Sequence, residues 1–141
     1  MKKLLAVALI ICSLESSAIA EADQFLEDFN IYAQSLYGLQ TIEKIYSDPV
    51  MAAYKSDDIE IMYENDNYTV YGTEDQEVIT AACCVMRAID NQGSMIDQYG
   101  RIMNAYFLCR ANGKESIATT ENHVMILVDK ENGVLSIRMV K

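Results

Sequence analysis

The sequence predicts an α+β fold, with N-terminal helices plus a third helix packed on a curved, mainly antiparallel β-sheet. Apolar residues at three- and four-residue spacing through Phe25, Phe29, Tyr32, Leu36 and Leu39 mark one face of a long helix. Strict alternation through Ile59, Ile61 and Tyr63 against Glu60, Met62 and Glu64 marks a half-buried strand. Asn112-Gly113 and Asn132-Gly133 are dipeptides that tolerate positive φ and so suit tight hairpins in the second half of the chain.

Taken in order, the long helix runs from Ala22 to Tyr46. Ser47-Asp48-Pro49 then stops the chain and restarts it as a short second helix through Tyr54, with Asp48 as N-cap and Pro49 where its missing N–H costs nothing. Asp58 to Glu64 and Tyr68 to Tyr71 pair as a hairpin around Asn65-Asp66-Asn67. A third helix is expected from Glu74 to about Asn91, with Glu74, Asp75 and Glu77 in its first turn complementing the helix dipole. Its apolar stripe is Val78, Ala82, Val85 and Ile89. The rest reads as strands: Ser94 to Gln98, Arg101 to Ala111, Glu115 to Thr120, His123 to Asp129 and Val134 to Val140, with Val124 to Val128 placed centrally because it is apolar on both faces.

Residues 1–20 read as an export signal: basic Lys2 and Lys3, an apolar run from Leu4 to Leu14, and Ala18-Ile19-Ala20 before the expected cleavage at Ala20/Glu21. The run is short of the roughly 20 residues that cross a bilayer, so a retained anchor is the weaker reading. Ile11 is too bulky for lipoprotein processing at Cys12, which leaves with the signal. The expected location is the periplasm or the extracellular side, with residues 21–141 as one α+β domain.

Loss of Lys2, Lys3 and Glu15 leaves 9 basic and 20 acidic residues, a net charge of −11. Such a chain repels a phosphate backbone and has no basic cluster to release counterions, so no nucleic-acid partner is expected and anionic membrane surfaces are disfavoured. It steers basic proteins favourably.

Three cysteines then remain in an oxidising compartment, so one has no intramolecular partner. On the third helix Cys83 falls at the margin of the apolar stripe and Cys84 nearly opposite it. In the strand expected over Arg101 to Ala111, Cys109 shares a face with Met103, Ala105 and Phe107. This predicts a Cys83–Cys109 disulfide, with Cys84–Cys109 as the alternative and Cys84 otherwise a free thiol. Three reduced, buried thiols are the competing expectation.

The Ser47-Asp48-Pro49 break, the strand Asp58 to Glu64, Gly72 ahead of the helix at Glu74 and the terminal hairpin around Asn132-Gly133 resemble the pattern of the nuclear transport factor 2-like superfamily, the cone fold shared with ketosteroid isomerase and polyketide cyclases. The resemblance covers most of residues 21–141 and implies a concave sheet wrapped around its helices, a pocket at the open end and dimers through the sheet. Its members include isomerases, dehydratases and non-catalytic binding domains. No local motif here aligns with the isomerases' catalytic residues.

Catalytic residues are expected to be none, and the same holds for metals and cofactors: one histidine and no Cys-x-x-Cys give zinc little to hold. The turn from Glu64 to Asn67 lacks the spacing and glycine of a calcium loop. His123 is the side chain whose ordinary pKa suits proton exchange near neutrality. It joins Tyr32 and Tyr37 as the pocket candidates. The expected function is an exported, non-enzymatic acidic protein that binds a basic protein partner as inhibitor, immunity protein or envelope assembly factor. The alternative is a small-molecule-binding enzyme or carrier of the cone type, and a homodimer is left open.

Overall fold

A computed structural model describes residues 21–141. The expected signal segment and its cleavage point lie outside the described residues. The fold is α+β: helices pack on one face of an open, seven-stranded antiparallel sheet ordered β1-β2-β3-β4-β7-β6-β5.

The first helix, α1, covers 21–32 and widens into a π-helical turn at Ala33–Tyr37. Phe25, Phe29 and Ala33 are its buried face. It does not run to Tyr46. Gly38 takes the left-handed conformation at φ 61°, and the Leu39 N–H closes on Ala33 O at 2.9 Å, a Schellman-type stop. Ile42 is then pinned by Asn30, whose side chain accepts from its N–H at 2.9 Å and donates to its carbonyl at 3.2 Å.

The expected second helix is likewise a correction, because β1 (Glu43–Ser47) and β2 (Met51–Lys55) form a hairpin there. Asp48 supplies the capping chemistry expected of it, accepting from the N–H groups of Val50 and Met51 at 2.8 Å each. It closes a turn rather than starting a helix, because the residues that follow bury alternately: Ala52 and Tyr54 inward, Met51, Ala53 and Lys55 outward. The meander continues through β3 (Glu60–Glu64) and β4 (Asn67–Gly72). Asn65 and Asp66, at φ 50° and 62°, make the primed turn that matches strand twist.

Two helices follow, α2 (Asp75–Ile89) and α3 (Met95–Asn112). The latter replaces the strands expected at Ser94 to Gln98 and Arg101 to Ala111. Its buried residues Gln98, Ile102, Ala105 and Cys109 recur at four-, three- and four-residue spacing, a helical stripe hidden within the alternation of Met103, Ala105, Phe107 and Cys109. Ser94 caps one end by accepting from Asp97 N–H, and Gly113, left-handed at φ 62°, caps the other.

Strands β5 (Ser116–Thr119), β6 (Met125–Glu131) and β7 (Val134–Val140) complete the sheet, with β7 joining β4. Strand β6 is internal, next to edge strand β5, but Met125 on its outer face meets solvent rather than a second layer. The inner row Tyr54, Ile61, Val70, Ile137 and Val128 runs straight across paired strands into one core with Phe29, Val78, Val85, Met86 and Ile102. No helix among the described residues is long and apolar enough to cross a membrane.

In place of the expected order of two helices, hairpin, helix and meander, α1 is followed by a four-stranded meander, two consecutive helices and a three-stranded meander.

Candidate functional site

Where α1 lies over the β3–β4 turn, three aromatic rings meet. Tyr63 and Tyr68 are directly opposite across the hairpin with ring centroids 4.8 Å apart, and Phe25 of α1 stacks on Tyr68 at 4.5 Å. Tyr54 continues the series, 5.1 Å from Phe25, and anchors the start of α1 by donating from its hydroxyl to Ala22 O at 3.1 Å. The exposed side of this cluster borders a cavity of about 360 Å³, lined also by Ala88 and Ile89 of α2.

Carboxylates stand around the cavity: Glu21 and Asp28 from α1, and Asp66 from the turn. None of the three is in a salt bridge among the described residues. Asp28 accepts from the Gln24 side chain at 2.9 Å and Asp66 from the Tyr63 hydroxyl at 3.1 Å, both neutral donors. Burial raises the Tyr63 hydroxyl's pKa, with the Asp66 hydrogen bond and the Asp66 and Glu21 charges adding to the effect. Tyr68 is raised further, by burial first. Both therefore remain neutral hydroxyls at physiological pH. Among the described residues the one cation bordering the cavity, Lys141, donates to Ile89 O at the C-terminal end of α2, at 2.9 Å.

No family model, curated protein or solved structure matches the chain.

None of the expected pocket residues Tyr32, Tyr37 and His123 lines this cavity. Tyr32 packs at the end of α1, with the Arg87 guanidinium 5.9 Å from its ring centre. Tyr37 rests against Cys83, and its hydroxyl is pushed up to about 12, first by burial. His123 is an exposed turn residue at φ 65° whose N–H donates to Thr120 O at 3.0 Å. Its role is to close the turn into β6.

The cysteines require a further correction: Cys83, Cys84 and Cys109 are free, buried thiols and the Cys83–Cys109 pair is not formed. The bridge was expected from a strand that is in fact α3. On that helix Cys109 lies toward β6, close to Asp129 and the Lys130 backbone, whereas Cys83 meets Tyr37 under the end of α1. Burial drives Cys83 to about 11 and Cys84 to about 12, so neither supplies thiolate near neutrality.

A separate polar cluster ties α2, α3 and β6 together. Asp75 accepts from Lys130 Nζ at 2.8 Å and from the Tyr106 hydroxyl at 2.7 Å, with Arg110 at 3.6 Å. Burial works against the Asp75 carboxylate, but the Lys130 and Tyr106 hydrogen bonds and the flanking cations outweigh it and lower its pKa. Here carboxylate and cations are mutually satisfied, unlike the carboxylates around the aromatic cavity.

Sequence reasoning passed over that cavity. Its legible signal was the placement of Tyr63 and Tyr68 symmetrically about Asn65-Asp66, which a primed two-residue turn makes cross-strand neighbours.

Proposed function

We propose that the protein is an exported, non-enzymatic acidic binding module that recognises a basic protein partner, in an inhibitor, immunity or envelope assembly role. The observation that carries this reading is the aromatic-floored cavity with Glu21, Asp28 and Asp66 free of salt bridges among the described residues. Unpaired carboxylates beside apolar rings offer a basic surface both long-range attraction and a place to dock once it arrives. The net charge of −11 expected after signal removal supports the same reading. So does the chemistry of Cys83 and Cys84, whose raised pKa values make them packing groups rather than nucleophiles.

Export is part of the proposal. N-terminal sequencing of the protein recovered from outside the cytoplasm is expected to begin at Glu21; recovery with Met1 intact would refute cleavage. For the partner, capture from envelope extract should retain basic proteins at low ionic strength and release them as salt rises through about 0.15 M, where the screening length falls to about 8 Å. Retention indifferent to salt would count against electrostatic recognition.

A further inference from the structure

We infer that the cavity between Phe25, Tyr63, Tyr68 and Ile89 is a binding site for an alkylammonium group, the chemistry of a lysine side chain or a free aliphatic amine. The inference rests on the functional reading above and gives its recognition a location.

Two observations point to an ammonium rather than to another ligand. The first is that the site combines rings with dispersed charge. No group of three or more acidic, histidine or cysteine side chains among the described residues is placed to hold a metal ion. Glu21, Asp28 and Asp66 therefore do not converge on a point, as an inorganic cation requires. They are spread around an apolar floor of rings, Ala88 and Ile89, which suits a cation carried on a hydrocarbon stem: the stem covers the floor while the charge meets a carboxylate. A volume of about 360 Å³ is room for one such chain.

The second observation is independent of the carboxylates. The C-terminal end of α2 borders the same cavity, where carbonyls past the reach of the intrahelical ladder and the helix dipole favour positive charge. An ammonium already sits there: Lys141 Nζ donates to Ile89 O at 2.9 Å. The chain thus shows in its own geometry the contact that an incoming ammonium would make, while the carboxylates across the cavity remain without a cation.

The test titrates n-butylammonium into the purified protein and follows backbone amide shifts by NMR, with n-butanol as the neutral control. The expected result is saturable binding with Kd in the millimolar range, about −4 kcal/mol. The largest shifts should fall at Phe25, Asp66, Tyr68, Ala88 and Ile89, with butanol producing little change. The double variant Asp28→Asn and Asp66→Asn should weaken binding by about fivefold or more, consistent with loss of partly exposed charge contacts. Asparagine tolerates the positive φ at position 66, so the turn is retained, and an unchanged amide spectrum elsewhere checks it. Lys141→Met removes the resident competitor and should tighten binding by about twofold or more.

Shifts spread evenly over the acidic surface, equal binding of butanol, or indifference to the double variant would overturn the assignment. A lysine-rich peptide titrated in parallel separates the sources. Peptide binding that is salt-dependent but equal in the wild type and the double variant sinks the site while leaving the basic-partner reading intact. Butylammonium binding lost in the double variant, with no peptide binding at any salt, keeps the site for a free amine and sinks the protein-partner reading.

Discussion

Single residues are constrained here chiefly by space, and glycine shows it from both sides. A Cβ at Gly72 would stand 2.6 Å from the Asp58 carbonyl oxygen and 3.1 Å from Val78, whereas at Gly100, in the exposed face of α3, it meets nothing within 4 Å. Gly72→Ala is therefore expected to destabilise by about 1–3 kcal/mol through forced backbone displacement. The same change at Gly100 should stabilise by about 0.5–1 kcal/mol by removing chain entropy from the unfolded state and improving helix propensity. Urea unfolding of the two variants checks both signs. The thiols make a second prediction at this scale. Cys83, Cys84 and Cys109 should resist alkylation in the native protein and all react in denaturant without reductant. A mass that needs reductant to gain the full set of labels would restore the disulfide.

Among the elements, α3 depends most visibly on its ends. Its buried stripe is narrow and its outward side carries exposed Ile96, Tyr99 and Phe107, so capping by Ser94 and Gly113 matters more than in α2, which is buried almost all round its middle. Ser94→Ala should cost about 1 kcal/mol, measured by thermal or urea unfolding. An equal loss from Thr80→Ala, on the exposed side of α2, would deny the cap its special role. The same helix explains why part of the sheet was legible and part was not. Strands β3, β4, β6 and β7 alternate about turns whose residues favour positive φ, so their pattern and register follow from local chemistry. In α3, the spacing of Met103, Ala105, Phe107 and Cys109 satisfies a two-residue period, while Ile102, Ala105 and Cys109 satisfy a helical one. Only packing against β5 and β6 chooses between them.

At the scale of the molecule, acidity and stability pull against each other. The carboxylates of Asp75 and Asp97 are held below their ordinary values. At Asp75 burial is outweighed by the Lys130 and Tyr106 hydrogen bonds, and at Asp97 the Glu121 backbone N–H is the main cause. A depressed folded-state pKa means that the unfolded chain takes up protons first as pH falls. The stabilisation is thus full above the ordinary carboxylate value near pH 4 and is lost as pH drops through the lower folded value. The unfolding midpoint should decline below about pH 4, and Asp75→Asn should flatten part of that decline while lowering stability at neutral pH by about 1 kcal/mol. A decline unchanged in the variant would remove Asp75 from the account.

Residue order and composition by themselves determined the α+β class and the acidic character, because helical and strand periodicities and net charge are properties of the chain before it folds. They also determined the hairpins around Asn65-Asp66 and Asn132-Gly133, whose φ angles are decided within two residues. Tertiary structure decided what depends on distant partners: that Asp48 closes a hairpin, that the run around Cys109 is a helix, and that the cysteines lie in different packing environments. It also decided the candidate site. Phe25, Tyr68 and Ile89 are far apart in the chain, and only the folding of α1 and α2 onto one sheet brings their side chains to a common cavity.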